Sequence, residues 1–322
     1  MACFAKELGL TAARTDFVRG SARETSSLDA YRAFTEGWLK LESLDVHQLE
    51  SATADFERAV SLDPHYALAH AGLASALYGR YEATRSDVEP ADDLLVRAID
   101  QARHAIDLED GLAEAHATLA MVLVSAWKTP EAVSAARRAV ALEPSNWRHL
   151  FRLGHASWGE ARLQAAAGTL ALYPDFAFAH FQIAMVYVAR GHLSQADTVL
   201  QQGADVQDRQ IGRRERYPPL GLHWLRGLVH LAGDALTPAL AELEAELLQA
   251  EDSQRLYGPE YQMSALHGRG LVLLHAGEYQ LAEDAIRRAL NLYPHHAPSH
   301  IALALVLRAQ EEIGRASCRE RV

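Results

Sequence analysis

The 322-residue chain is 49% hydrophobic and 23% charged, a composition that excludes disorder as the default and supports a large buried apolar surface. A formal net charge of -11 repels a phosphate backbone, so nucleic acid is excluded as an expected partner. Cys3 and Cys318 stand at opposite ends, which excludes a disulfide framework or a thiolate metal site within one chain and points to a reducing, cytoplasmic setting. Lys6 and Glu7 interrupt the place where a secretory signal needs its apolar run, and no stretch reaches the roughly 20 apolar residues of a membrane span, so no membrane insertion is expected.

In chain order, apolar periodicity and turn residues predict helix pairs at about 28–62, 66–108, 112–142, 146–172, 176–206, 219–251 and 259–292, followed by a closing helix at 296–312. The first pair ends on Ala59-Val-Ser-Leu-Asp-Pro64 and the second opens on His70-Ala-Gly-Leu-Ala, with an insertion at Arg80–Pro90. The third opens on His116-Ala-Thr-Leu-Ala, starts its second helix at Thr129-Pro130-Glu131, and ends on Ala139-Val-Ala-Leu-Glu-Pro144. The fourth is four residues short and ends on Thr169-Leu-Ala-Leu-Tyr-Pro174; the fifth opens on His180-Phe-Gln-Ile-Ala. Long loops follow at 207–219 and 250–260. The seventh pair ends on Ala289-Leu-Asn-Leu-Tyr-Pro294, and the closing helix opens on His300-Ile-Ala-Leu-Ala.

Pro64 to His70, Pro174 to His180 and Pro294 to His300 are each six apart, so the two signatures share one phase. That phase resembles the tetratricopeptide repeat, a helix-turn-helix unit of 34 residues. Counting from Ala113, Ala120 is eighth, Ala132 twentieth, Ala136 twenty-fourth, Ala139 twenty-seventh and Pro144 thirty-second; counting from Met263, Gly270, Ala282, Ile286, Ala289 and Pro294 take the same places. Small residues at these positions let helices approach to about 8–10 Å, and the proline ends each unit. The expected fold is an all-α, right-handed solenoid of about seven hairpins plus a closing helix, spanning 28–312.

The run from Tyr31 to Pro144 also resembles repeat modules at the C-terminal end of bacterial signalling proteins, in which an upstream domain supplies the output. Residues 1–27 then read either as the remnant of such a domain or as a solvated leader. Ile313-Gly-Arg-Ala-Ser-Cys-Arg-Glu-Arg-Val322 breaks the repeat and reads as a vector-derived tail.

Histidines 70, 116, 180 and 300 fall one per repeat, which favours packing plus one hydrogen bond over shared metal ligation. His296 and His300 lie one turn apart beside His295, but with no third ligand type in view no metal is expected. No Gly-x-Ser-x-Gly elbow or phosphate loop is present, Gly268-Arg-Gly270 lies inside a predicted helix, and acid pairs such as Glu242 with Glu246 read as solvated helix faces. Catalytic residues and cofactors are therefore expected to be none.

The resemblance implies that the first helix of each pair lines a concave groove with its second, fifth, ninth and twelfth residues. The fourth pair then offers Arg148, Phe151, His155 and Trp158, and the fifth offers Phe178, Phe181 and Met185. Aromatic and Arg side chains are frequent interface anchors, so a protein or peptide ligand is the expected partner, with a small effector in the same groove as the alternative. A secondary anion site is expected at Arg209, Arg213, Arg214 and Arg216.

Overall fold

The computed structural model describes residues 24–319, except 44, 86, 88, 211–218 and 251–255, with side chains to residue 311. Fifteen α-helices and no strand occur among the described residues. They are α1 Leu28–Glu42, α2 Leu49–Leu62, α3 Ala67–Thr84, α4 Asp92–Leu108, α5 Ala113–Ser125, α6 Thr129–Leu142, α7 Trp147–Ala156, α8 Glu160–Leu172, α9 Ala177–Ala189, α10 Leu193–Gln210, α11 Leu222–Ala232, α12 Leu236–Ala250, α13 Gly258–His275, α14 Tyr279–Leu292 and α15 Ala297–Arg319. Each odd-numbered helix pairs with the next to make seven antiparallel hairpins, and α15 closes the stack. The closing helix continues past the expected end at 312, and α10 extends to Gln210, into the expected loop.

Two turns alternate along the chain. Between hairpins, Tyr66, Leu112, Asn146, Phe176 and His296 each donate a backbone N–H to the carbonyl three residues earlier, at 3.0–3.3 Å. The residue before each turn is extended, as at Asp63 (φ -145°) and Tyr293 (φ -131°), because a following proline disfavours the helical region. Asp110 makes the same turn without a proline. Within hairpins, the fifteenth position takes a left-handed conformation at Trp127, Gly191, Asp234 and Gly277 (φ 58–81°). There the next residue's N–H reaches back five residues, as from Lys128 to Leu123 and from Glu278 to Leu273 (both 2.9 Å).

Ala74, Ala120, Gly154, Ala184, Gly227 and Gly270 hold the eighth position of successive hairpins, and all are buried. The opposing helices supply Ala132, Ala136, Ala139, Ala282, Ile286 and Ala289, all fully buried. The repeated histidines lock the turns. His70, His116 and His300 each donate Nε2–H to the carbonyl six residues earlier, at 3.1, 2.9 and 2.7 Å. The Nδ1 of His180 is buried without a hydrogen-bond partner.

The odd-numbered helices α1 to α15 each touch the next odd-numbered helix, whereas the even-numbered helices make no comparable contact with one another. A layer whose members touch lies at the smaller radius, so the odd helices form the inner, concave wall.

Candidate partner-binding groove

The groove positions of α3, α5, α7 and α9 are where that wall acquires chemistry. On α3 the groove-position hydroxyls reach neighbouring residues of α5: Ser75 Oγ lies 3.1 Å from Thr118 Oγ1 and Tyr78 Oη 3.1 Å from Ser125 Oγ. Glu114 on α5 receives both terminal nitrogens of Arg152 on α7, each at 2.9 Å, a charge-assisted link between successive hairpins.

The seven expected anchor residues do not form a single patch. Phe151 and Phe178 join Trp147, Tyr173 and Phe176 in one aromatic cluster, with Phe151 edge-on to Phe176 at 4.9 Å and 6.4 Å from Phe178. Arg148 does not project as a free cation; its guanidinium lies 4.9 Å over the Trp147 ring, and its Nε is buried without a hydrogen bond. Phe181 stacks instead on Trp224 of α11 at 6.5 Å, and Met185 packs with the α9–α11 core. The split follows from what flanks α9: Phe176, in the turn before it, meets Phe178, while Trp224 on α11 meets Phe181.

Trp158 is the expected anchor that remains open. It is 55% exposed just beyond α7, with Arg162 of α8 lying 4.4 Å over its ring. Arg162 is fixed from behind by donating to the carbonyls of Gly154, His155 and Ser157 at 2.9–3.1 Å, which closes the C-terminus of the short helix α7. Burial lowers the Arg162 pKa to about 10. His155 is enclosed in the groove, and burial, helped by Arg162 and Arg85, lowers its pKa to about 4, so its ring is neutral near pH 7.

The inner wall also carries residues that the repeat pattern did not mark. The insertion after Arg80 extends α3 by a turn, keeping Glu82 and Arg85 on the line of Tyr78. These meet the start of α13 from the far end of the chain. Tyr257 donates its hydroxyl to Glu82 Oε2 (3.0 Å), Arg85 pairs with both Glu82 (3.2 Å) and Glu260, and its guanidinium lies 5.4 Å from the Tyr257 ring centroid. Ser125 Oγ donates to the other Glu82 oxygen at 3.2 Å. Burial raises the Tyr78, Tyr257 and Tyr261 pKa values; it works against the charged form of Arg85, but Glu82 and Glu260 outweigh it and push that pKa up. The available signal was the spacing of Tyr78, Glu82 and Arg85, four and three residues apart on one helix face.

Arg209 at the end of α10 pairs with Asp175 (3.2 Å); Arg213, Arg214 and Arg216 lie outside the described residues. The acids Glu242 and Glu246 correct the expectation of a solvated face. Glu246 is fully buried at the twenty-seventh position, where its neighbours carry Ala or Gly, and it accepts the backbone N–H of Gly221 (2.7 Å) and Trp224 (3.2 Å). It thereby satisfies the amino end of α11, which has no side-chain cap of its own. Glu242 binds His223 (2.6 Å) and Arg226 (2.5 Å). Among the described residues, no three His, Cys, Asp or Glu side chains converge to hold a metal ion, and no helix is long and apolar enough to cross a membrane.

Stacked helix hairpins in one register, with a touching inner layer and a splayed outer one, define a helical-repeat solenoid. Residues 264–296 match the family described as Tetratricopeptide repeat, and the chain as a whole folds as an all-α solenoid of helix hairpins. Its fold is similar to a tetratricopeptide repeat protein from Parabacteroides merdae ATCC 43184, at 13% identity over 87% of this chain and 100% of that one, with a TM-score of 0.59. It is also similar to a chain of the APC/C hetero-tetramer Cut9-Hcn1 (14% identity, 95% of this chain, TM-score 0.62), of which it spans 52%. Against yeast Tom70 the values are 12% identity, 91% coverage and a TM-score of 0.56, and the chain spans 62% of that protein. No curated protein sequence matches the chain.

Proposed function

We propose that the chain is an interaction scaffold that holds a protein or peptide partner against its concave wall, as part of a bacterial signalling or regulatory assembly in the cytoplasm. The exposed Trp158 under the Arg162 guanidinium supports this reading, because an aromatic left open in the turn that follows the inner helix α7 is an anchor without a filled pocket. Its backing arginine is tethered to three carbonyls, so little side-chain freedom is lost when a partner covers the pair. No catalytic role is assigned.

The test is affinity capture followed by binding measurements with the purified partner. Trp158→Ala should weaken binding about tenfold or more, as expected for a hot-spot aromatic, without lowering the melting temperature. Equal binding by both forms would refute the groove assignment. A second reading, a small-molecule sensor, draws on the polar centre formed by Tyr78, Glu82, Arg85 and Ser125. Thermal stabilisation by a metabolite, in a chain that captures no protein, would select it.

A further inference from the structure

The contact between Glu82–Arg85 and Tyr257–Glu260 joins residues 175 apart in sequence, bringing the second hairpin against the seventh across the mouth of the concave wall. It has the anatomy of a bound ligand. Tyr257 takes a left-handed conformation (φ 75°), which is strained for a bulky L-residue. Its half-buried ring has the Arg85 guanidinium 5.4 Å from its centroid, its hydroxyl is spent on Glu82, and three residues later Glu260 meets the same guanidinium. The receiving side is built separately from it. Glu82 is also held by Ser125, which is held by Tyr78, so acceptor and cation are positioned by α3 and α5 alone.

We infer that Tyr257-Gly-Pro-Glu260 is an internal pseudo-ligand that latches the solenoid closed, and that the partner enters by exchanging an aromatic residue and a nearby carboxylate of its own for Tyr257 and Glu260. The inference rests on the groove reading above and specifies its partner: a peptide with a Tyr-type hydroxyl followed within about one turn by an acid. The hydroxyl donates to Glu82, the ring lies against the Arg85 guanidinium, and the carboxylate pairs with the same side chain. Gly258 and Pro259 set the spacing without contributing a competing charge.

The experiment uses the full chain and a synthetic peptide of its own residues 254–263. Two lid variants, Tyr257→Ala/Glu260→Gln and the milder Tyr257→Phe/Glu260→Gln, leave the receiving side intact, and circular dichroism identifies which of them keeps native helix content. The peptide should bind the lid variants at least about tenfold more tightly than the wild type, whose site is occupied from within. Adding Arg85→Ala to the lid variant should abolish that binding. Amide hydrogen exchange in the first turn of α13 should also rise by about tenfold or more in the lid variants. Equal peptide affinity for wild type and lid variants, no binding to either variant at millimolar peptide, or unchanged exchange would each overturn the latch. The groove reading fails separately: it falls if Trp158→Ala leaves captured-partner affinity unchanged while the peptide still distinguishes open from closed chains.

Discussion

Gly270 and Ile286 face each other so closely that a methyl group added to the glycine would lie 2.4 Å from Ile286 Cγ1. The pair joins the eighth and twenty-fourth positions of the seventh hairpin and shows what the repeat register encodes, namely the distance between two helix axes.

Gly270→Ala should therefore overpack α13 against α14 and cost about 1–3 kcal/mol in chemical denaturation. Ala139→Leu should cost a comparable amount, since that residue is fully buried. Unchanged unfolding midpoints for both would show that the register has been misassigned.

Phe151→Ala and Trp158→Ala separate core from groove. Phe151 is enclosed by the ring of Phe176, so its removal should cost about 3 kcal/mol. Trp158, more than half exposed, should change stability by less than about 0.5 kcal/mol. Thermal melts of the two variants side by side provide the comparison.

Trp127 occupies the left-handed position of the third hairpin with its side chain 92% exposed. Trp127→Gly removes backbone strain and sacrifices almost no packing. A net gain of about 0.5–1 kcal/mol is expected after the entropy of the added glycine is subtracted, and loss of stability in denaturant titration would contradict it.

Two histidines, His223 buried and His155 partly buried, give opposite pH responses in different windows. At His223 burial favours the neutral ring, but Glu242 and Asp208 outweigh it and raise the pKa above the ordinary value near 6.5. Its contribution is complete below that ordinary value and is lost as pH rises through the folded-state pKa. Between about pH 6 and pH 8 the melting temperature of the wild type should therefore fall more than that of His223→Gln. At His155 the pKa is lowered to about 4, so its contribution is complete above about 6.5 and is lost as pH falls toward 4. The His155→Gln variant should accordingly be less acid-sensitive than the wild type.

Much of the architecture was legible because it is local. The turn at Pro144 and the hydrogen bond from His116 to the Asp110 carbonyl each involve residues within six positions, and small residues at fixed spacing report helix contact directly. Glu246 was misread because its position was judged by residue type. It stands where an alanine is usual, and only the fold shows that its carboxylate satisfies the amino end of α11. The expected anchors do not share one patch, because Phe176, in the turn before α9, gathers Phe151 and Phe178, while Trp224, at the fifth position of the sixth hairpin, takes Phe181.

The sequence by itself determined the all-α class, the repeat phase, the turns and the small-residue seams, since each depends on neighbours within one 34-residue unit and recurs until chance is excluded. Only the tertiary structure decided how far the solenoid curls, and therefore that Arg85 meets Tyr257 and Glu260. That contact depends on small rotations accumulated over five hairpins, a quantity that no single repeat encodes.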